Sequence, residues 1–380
     1  MRVIIAGAGV AGSATAVALA RTGHEVTVYE SHEDPGGRVG SFLSLAANGL
    51  RGLDALGCLP QVQQAGFAVP RQRMWSGRGK LLGDVPRGRR SGDDLLSVTV
   101  MRADLVGALR AEAVGAGARI RTGQPLSAPD IRRLAGSADI FVGADGIWSA
   151  TRSVLDPAAP PPRYAGMYTV SGISSGPNLE TDAWNMIFAR HGAFIWLQAP
   201  DRTTWWAAQV CAPAPEDLAA IGPDALRATF RTEQTALAIL AATRSVHAAT
   251  LDHVLAPVRI RQDGHLALVG DAAHPVGAGQ GASMAIEDAL ALAQQLQQAT
   301  TVPAALAGFD EVRRARVGKM ARTAARNRDA KTAGPVGSLL RELVMPVVFG
   351  RVYERATGWL YDFDPGQLLA LAQRVDLGQQ

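Results

Sequence analysis

Three glycines and one glutamate near the N-terminus have the types and the spacing of a dinucleotide-binding site. Gly7, Gly9 and Gly12 form the pattern GxGxxG, and Glu30 ends the next apolar run. The first glycine permits a tight turn, the second lets the backbone approach a pyrophosphate, and the third lets a helix lie close to a strand. Glu30 is placed to accept hydrogen bonds from the 2′- and 3′-hydroxyls of an adenosine ribose and would repel a 2′-phosphate.

A strand, a helix and a second strand must position these residues. The stretch from Met1 to Ala6 is apolar and rich in β-branched residues, an alanine-rich helical pattern follows, and Val26 to Tyr29 repeats the strand pattern. Val10 and Ala11 would open the helix, where free N–H groups and the helix dipole favour a bound phosphate. The sequence therefore predicts a β-α-β dinucleotide-binding unit.

Two features of the sequence bear on the compartment of the protein. Arg2, the apolar run after it and Ala18-Leu19-Ala20 imitate a secretory signal with a cleavage site. Cleavage there would remove the helix that follows Gly12, so we favour the dinucleotide site. Cys58 and Cys211 lie far apart and match no metal-binding spacing, so we expect buried thiols in a reducing cytoplasm and no metal site.

The composition is that of a folded, water-soluble protein. Hydrophobic residues make up 47% of the 380 residues and charged residues 19%, which argues against a disordered chain. The length suits about two domains of ~100–200 residues. No apolar run reaches the ~18 residues that a membrane span needs. The net charge of +4 is small and scattered along the chain, so nucleic-acid binding is not predicted either.

Two aspartates further along the chain each follow a buried-strand pattern. Asp145-Gly146 ends the run from Ala138, and Gly270-Asp271 ends the run from His265. A buried carboxylate is costly unless it accepts hydrogen bonds, and the hydroxyls of a sugar-alcohol chain supply donors. Taken alone, Asp145 has the alternative of a turn residue and Asp271 that of a helix cap. A glycine-rich stretch from Pro275 to Gly281 follows and leads into a long helical pattern.

Together these three motifs, in this order, resemble the flavoprotein aromatic hydroxylases. These are single-component FAD monooxygenases of the para-hydroxybenzoate hydroxylase type, and the chain is similar to their compact subgroup, which lacks a C-terminal thioredoxin-like domain. The resemblance covers about residues 1–155 and 255–330 well. Ser149 and Arg152, behind Asp145, belong to the matching pattern, whereas Ser283 stands where many relatives carry Asn.

The resemblance implies roles for residues in all three motifs. It places Asp271 on the ribityl chain of FAD, Arg38 and Arg102 near its ribose and phosphates, and Asp145 with Gly146 in a groove that FAD shares with NAD(P)H. The implied FAD-binding residues are Gly7, Gly9, Val10, Ala11, Gly12, Glu30, Arg38, Arg102, Asp145, Gly146, Gly270, Asp271, Gly279, Gln280, Gly281, Ala282 and Ser283. Pro275, Gly279 and Gly281 are the implied catalytic residues, since their backbone would run beside the flavin ring and stabilise charge on it.

The resemblance also implies a reaction. NAD(P)H reduces the flavin, O2 forms a C4a-hydroperoxide, and one oxygen atom passes to an aromatic or polyketide-like small molecule inside a water-excluding pocket. The alternative is an FAD-containing biosynthetic protein that catalyses a non-redox step such as cyclisation. The ring that is hydroxylated, the choice between NADH and NADPH, and the oligomeric state stay open.

The expected fold is α/β and has three parts. A discontinuous, Rossmann-like FAD-binding domain takes residues 1–70, 95–160 and 255–330, and an antiparallel-sheet substrate domain takes residues 71–94 and 161–254. Residues 331–380 form a helical C-terminal segment. Asn48 is interpreted as the cap of a helix over 49–56. Trp196, Trp205 and Trp206 are expected in the core of the substrate domain, with at least one able to contact a planar substrate.

Overall fold

A computed structural model of the protein describes residues 1–33, 41–179, 182–276, 279–331, 335–363 and 365. Within these residues the chain alternates between strands and helices. The strands are β1 (Arg2–Ala6), β2 (Glu25–Tyr29), β3 (Phe42–Leu45), β4 (Phe67–Ala68), β5 (Arg71–Ser76), β6 (Leu81–Pro86), β7 (Val98–Met101), β8 (Arg119–Arg121), β9 (Ile140–Gly143), β10 (Arg163–Ser174), β11 (Ala183–Ala189), β12 (Gly192–Gln198), β13 (Thr204–Cys211), β14 (Val246–Val254) and β15 (Leu266–Leu268). The helices are α1 (Val10–Arg21), α2 (Ala47–Ala55), α3 (Leu59–Ala65), α4 (Arg102–Gly115), α5 (Ala128–Ala135), α6 (Ala150–Leu155), α7 (Pro223–Thr229), α8 (Gln234–Ala241), α9 (Gly281–Gln298), α10 (Val302–Lys331) and α11 (Pro335–Thr357), with short 3-10 helices at Gly270–Ala272 and Gly358–Leu360.

The first sheet is parallel and collects strands from distant parts of the chain. Among the described residues its order is β15-β9-β1-β2-β8, and each neighbouring pair runs parallel. Val3, Ile5, Ile140 and Val142 are fully buried, because helices cover the sheet on both faces. The carboxyl ends of β1, β9 and β15 therefore meet at one edge. That edge carries the segments that begin at Gly7, Ala144 and Val269.

The second sheet is larger and mostly antiparallel. Its order in the described chain is β14-β10-β13-β12-β11-β5-β6, and β5 pairs with β11 in parallel while the other pairs are antiparallel. One face packs against α7 and α8 through Phe194, Trp206 and Phe230, with the rings of Phe194 and Trp206 stacked at a centroid distance of 5.8 Å. Trp196 belongs to the same buried cluster. Residues of the other face, among them Met186 and Ala207, line the cavity described below.

The prediction for the three tryptophans holds in part. Trp206 and Trp196 are core residues, and Trp205 is half-buried against Phe42 and Phe67. None of the three lines the cavity described below, whereas Trp184, which the sequence did not single out, does line it. Neighbouring residues of a strand point to opposite faces, which explains why Trp205 and Trp206 on β13 pack in different clusters.

A third sheet and helix α11 complete the surroundings of the site. Strands β3, β7 and β4 form this small antiparallel sheet. Helix α11 packs on β6 at Gly83, where an added Cβ atom would lie 2.1 Å from Cδ1 of Phe349.

The division of the chain into domains at the residues given above stays a prediction. Cys58 is buried and Cys211 half-buried, and the two do not form a disulfide.

The helices also bear on membrane association. Among the described residues, no helix combines the length and the apolar character needed to cross a bilayer.

The helix cap that the sequence predicted at Asn48 is wrong: α2 begins at Ala47, and Asn48 lies inside the helix with its side chain buried.

Candidate active site

The glycine turn after β1 has the geometry that its sequence predicts. Gly7 has a φ of +98°, and a Cβ atom there would lie 2.5 Å from the carbonyl oxygen of Ala144. A Cβ atom at Gly12 would lie 1.9 Å from the carbonyl oxygen of Gly7, so only glycine lets α1 close on the turn. Gly9 is the N-cap of α1 and offers no side chain to its N–H groups. The turn therefore leaves an open helix N-terminus, which suits a phosphate.

Glu30 lies at the end of β2, beside that turn. Its Oε2 accepts a hydrogen bond of 2.7 Å from the N–H of Ala8, and its Oε1 accepts one of 3.0 Å from the N–H of His32. Burial opposes ionisation, but these backbone N–H groups, together with hydrogen bonds from the side chains of His32 and Ser31, outweigh it and lower the pKa of Glu30. The side chain is thus a fixed carboxylate at the tip of the strand. Remaining lone pairs on its oxygens can accept from ribose hydroxyls.

Arg102 supplies positive charge to the same region. It is the first residue of α4 and is exposed, and its Nη2 is the described atom nearest to the Cβ position of Gly9, at 3.6 Å. Its charge also acts on Asp271. The guanidinium therefore lies beside the glycine turn, where it could pair with a phosphate bound there. Arg38 lies outside the described residues.

Asp145 follows β9 and organises its own loop. Its Oδ1 accepts from the Oγ of Ser149 at 2.5 Å, and its Oδ2 accepts from both the N–H and the Oγ1 of Thr151 at 2.9 Å. Gly146 adopts a φ of +75°, which glycine favours. Arg152 donates to the carbonyl oxygen of Ala272 at 2.9 Å and so ties this loop to the third motif. The structure thus gives Asp145 a positioning role, and its contact with a nicotinamide stays a prediction.

Asp271 follows β15 and lies against the start of α1. Gly270 has a φ of +58°, and a Cβ atom there would lie 2.6 Å from the Cβ of Ala11. The Asp271 side chain is reached by solvent, yet protein atoms crowd the carboxylate on its other sides, and this desolvation raises its pKa against the opposing effects of His274 and Arg102. Within the described chain, no group donates a hydrogen bond to it. Its acceptors are therefore available to a hydroxyl-bearing ligand.

The predicted site residues from Pro275 to Ser283 belong to the segment that leads into α9 and to the first turn of that helix. Gly279 has a φ of +72°, and nothing in the described chain lies within 4 Å of a Cβ atom placed there. Gln280 is buried as the N-cap of α9 and accepts a hydrogen bond of 3.3 Å from Nδ2 of Asn48. Gly281 is the first residue of the helix, and Ala282 packs beside the main core. Residues 277 and 278 lie outside the described chain.

Ser283 and Gly49 form a close contact between α9 and α2. A Cβ atom at Gly49 would lie 2.4 Å from the Oγ of Ser283, so glycine allows the two helices to meet. That Oγ is buried and has no hydrogen-bond partner among the described residues. An unpartnered buried hydroxyl beside this loop fits a site that a bound cofactor completes.

Sequence reasoning missed a buried network of charges behind this loop. Nε2 of His274 lies 2.6 Å from Oδ2 of Asp288, and Arg313 reaches Oδ1 of Asp288 and Oε2 of Glu287, each at 2.7 Å. Asp288 also accepts from the N–H of Gly270 at 2.8 Å. The network joins the Asp271 loop to α9 and α10. The sequence signal for this network is the pair Glu287 and Asp288 in the largely buried helix α9. Their partner Arg313 lies on α10, so the pairing itself could not be predicted.

A cavity of about 520 Å³ lies between the second sheet, β3, the Gly279–Gln280 segment and α11. Such a volume accommodates a small molecule. Apolar side chains form much of its wall, among them Met74, Trp184, Met186, Ile195, Ala207 and Phe349. One side of the cavity is thus formed by the segment that carries Gly279, one of the predicted catalytic residues.

The residues of the three motifs fit FAD. The glycine turn supplies an open helix N-terminus, Glu30 and Asp271 supply carboxylate acceptors, and Gly279 borders the cavity. All of these groups come from the same edge of the parallel sheet or from the loop next to it. A cofactor with an adenosine end, a pyrophosphate, a polyhydroxyl chain and a planar ring matches this series of donors and acceptors.

Comparisons with known proteins agree with this assignment. The model of the family described as "FAD binding domain" matches residues 1–324. The aurachin C monooxygenase/isomerase of Stigmatella aurantiaca is 29% identical over 333 residues, covering 82% of this chain and 85% of that protein. The 3-amino-4-hydroxybenzoate 2-monooxygenase PtnB3 of Streptomyces platensis is 30% identical over 400 aligned positions, covering 96% of each.

The fold is similar to that of a solved FAD complex. The structure of CtdE with FAD and a substrate has a TM-score of 0.79 and 19% sequence identity, and the similarity covers 99% of this chain and 100% of that chain. At this identity the likeness speaks for the fold. Since the family model spans all three motifs, we conclude that the chain belongs to the FAD binding domain family, which confirms FAD as its cofactor.

Proposed function

We propose that the protein is an FAD-dependent monooxygenase that uses NAD(P)H and O2 to hydroxylate an aromatic or polyketide-like small molecule. The observation that carries the proposal is the largely apolar cavity of about 520 Å³ beside the Gly279–Gln280 segment. Relatives named as monooxygenases, one of them for an aminohydroxybenzoate, support the reaction class. A cytoplasmic location, where NAD(P)H is available, goes with this function.

Each of the motifs would bind a different part of FAD. The N–H groups after Gly9 would bind the pyrophosphate together with Arg102, Glu30 would bind the adenosine ribose, and Asp271 would bind the ribityl hydroxyls. Asp145 fixes the loop at Gly146, where we place the approach of NAD(P)H. With these contacts, the ring of the cofactor would lie at the cavity.

The chain contributes positioning and exclusion of water to the reaction. When bound, FAD would supply the redox chemistry: it would take electrons from NAD(P)H and pass one oxygen atom of O2 to the substrate. Backbone N–H groups of Gly279 and Gly281 would stabilise negative charge near the ring, and Pro275 would shape the loop. Apolar walls keep water from the reacting atoms. His274 acts as a positioning residue, because its Nε2 is held by Asp288 and its ring is buried.

An oxygen-labelling experiment tests the proposal. The overall reaction consumes one substrate, one O2, one NAD(P)H and one proton, and yields hydroxylated product, water and NAD(P)+. We expect NADH or NADPH to bleach the bound flavin in an anaerobic stopped-flow measurement. Under 18O2, one labelled oxygen atom should appear in the product.

The alternative, a non-redox step such as cyclisation, makes the opposite forecast. Product would then form without oxygen, and neither nicotinamide cofactor would bleach the flavin. That pair of results would replace the monooxygenase with a protein that keeps FAD as a scaffold.

A further inference from the structure

The cavity contains one charged side chain. Among the described residues that line it, Arg87 is the only one with an ionised group at neutral pH, and it follows β6. The other polar groups of the wall are neutral, among them Gln72, Gln209 and Tyr353. Desolvation of an unpaired charge is unfavourable, so a cation in the wall of a largely apolar cavity suggests a binding role.

The surroundings of Arg87 hold it in place without neutralising it. Its guanidinium carbon lies 3.9 Å from the ring centroid of Trp184, and its Nη1 donates a hydrogen bond to Oε1 of Gln72. Gln72 in turn donates through Nε2 to the hydroxyl of Tyr353 on α11, at 3.4 Å. The stacking and the hydrogen bonds restrict the orientation of the guanidinium.

No carboxylate of the described chain pairs with Arg87. Burial lowers its pKa to about 10, and only the hydroxyls of Tyr353 and Tyr361 act in the other direction. The group therefore keeps its proton at pH 7. Arg313 shows the contrast, since this buried arginine pairs with both Asp288 and Glu287. Arg87 is a fixed, protonated cation with unused donors at a cavity, which is the arrangement that binds an oxyanion.

We propose that Arg87 is a substrate-binding residue and that the substrate is a planar ring compound bearing an acidic oxygen. A carboxylate is the first source of such an anion, and an ionised enol is the second. The proposal rests on the proposed function for the identity of the cavity as the substrate site. Trp184 offers the substrate ring an aromatic neighbour beside the cation, and Met186, Ile195 and Ala207 offer apolar walls.

The position of the anion would also govern which atom of the ring reacts. Arg87 and Gly279 line the same cavity from different walls, one from the second sheet and the other from the loop beside the proposed flavin ring. Anchoring one end of a rigid ring at Arg87 restricts the orientations of its other end. Arg87 is thus expected to act on binding and on the site of oxygenation.

Calorimetry with matched probes tests this proposal on the FAD-loaded enzyme without NAD(P)H. The probe pairs are 2-naphthoate against 2-naphthamide, and 4-hydroxycoumarin against 4-methoxycoumarin, at pH 7.5. We expect at least one acidic member to bind about tenfold or more tightly than its neutral partner, since it forms a charge-assisted hydrogen bond in a desolvated site. The pair that shows the preference distinguishes carboxylate from enol.

Three variants assign the preference to Arg87. Arg87→Met should abolish it, and Arg87→Lys should retain part of it, because lysine keeps the charge but loses the planar fork. Arg227→Met is the matched control: it removes one positive charge from an exposed pair on α7 and should leave the preference unchanged. Circular dichroism and the FAD content of each variant report whether it folds.

Several results would overturn the proposal. Equal affinity for the acidic and neutral members in the wild type would do so without any variant, as would the absence of binding by all four probes. A preference that survives in folded Arg87→Met would place the anion elsewhere. Since this measurement needs no turnover, an anion preference at Arg87 can stand even if the oxygen-labelling result fails, and the reverse also holds.

Discussion

Replacing Asp288 with asparagine tests whether the buried charge network holds the Asp271 loop against the core. The carboxylate of Asp288 is fully buried and is met by Arg313 at 2.7 Å, by His274 at 2.6 Å and by the N–H of Gly270 at 2.8 Å. Asparagine has nearly the same shape, but it has one acceptor oxygen and no charge. The variant therefore changes electrostatics with little change in packing.

The expected magnitude follows from the charge that remains on Arg313. Neutralising one partner of a buried pair costs about 3–5 kcal/mol, because the other charge stays desolvated. Here Glu287 still reaches Arg313 Nη1 at 2.7 Å. We therefore expect the lower end of that range, about 3 kcal/mol in the free energy of unfolding.

Urea unfolding of the FAD-free protein at pH 7 measures this loss. The control is Asp224→Asn, whose side chain is 87% exposed in its pair with Arg227 and should contribute less than ~1 kcal/mol. If Asp288→Asn unfolds within ~1 kcal/mol of the wild type at an unchanged m-value, the reasoning is refuted.

The same contribution has a defined pH dependence. Burial opposes ionisation of Asp288, but its interactions with His274 and Arg313 outweigh burial and hold its pKa far below the usual range. The folded-state pKa thus lies below the unfolded value of about 3.9, so the stabilisation is fully present above that pH and is lost as the pH falls toward the folded-state pKa. The difference between wild type and Asp288→Asn should shrink only in acid, which unfolding at pH 7 and pH 3 checks.

Three further predictions concern FAD directly. Gly12→Ala should lose bound FAD, measured by flavin absorbance, because the new Cβ atom would lie 1.9 Å from the carbonyl oxygen of Gly7. Asp271→Asn should weaken FAD binding about tenfold or more in calorimetry, because asparagine offers the hydroxyls of the cofactor one acceptor oxygen and no charge. Asp145→Ala should slow flavin reduction by NAD(P)H in stopped flow, whereas Asp217→Ala at an exposed position should not.

Local geometry explains why the glycine turn could be predicted from sequence. The contact that requires glycine at Gly12 lies within the same turn, whereas the one at Gly7 is with Ala144, which follows the neighbouring strand β9 of the sheet. Glu30 is fixed by β2, whose alternating pattern is visible in the sequence. For Asp271, the sequence shows the preceding buried strand, and parallel pairing then brings that strand end to the edge that holds the glycine turn.

The cavity and the charge network could not be predicted, because their members come from unrelated parts of the chain. Arg87 meets Trp184 from β11, Gln72 from β5 and, through Gln72, Tyr353 from α11. No periodicity links these positions. The prediction that Asn48 caps a helix was wrong for a related reason. Asparagine favours helix caps, but here its side chain donates a hydrogen bond of 2.8 Å to Glu287 on α9, which stabilises it inside α2.

The distribution of satisfied and unsatisfied charges locates the ligand-binding surface. Asp288, Glu287 and Arg313 neutralise one another behind the loop, so they serve the fold. Asp271 and Arg87, by contrast, are crowded by protein and meet no opposite charge within hydrogen-bonding distance among the described residues. Unpaired charged groups beside protein surfaces contribute less to stability than apolar residues at the same positions would. Their free acceptors and donors are the basis of our proposals that a hydroxyl-rich cofactor binds at Asp271 and an anionic ring compound at Arg87.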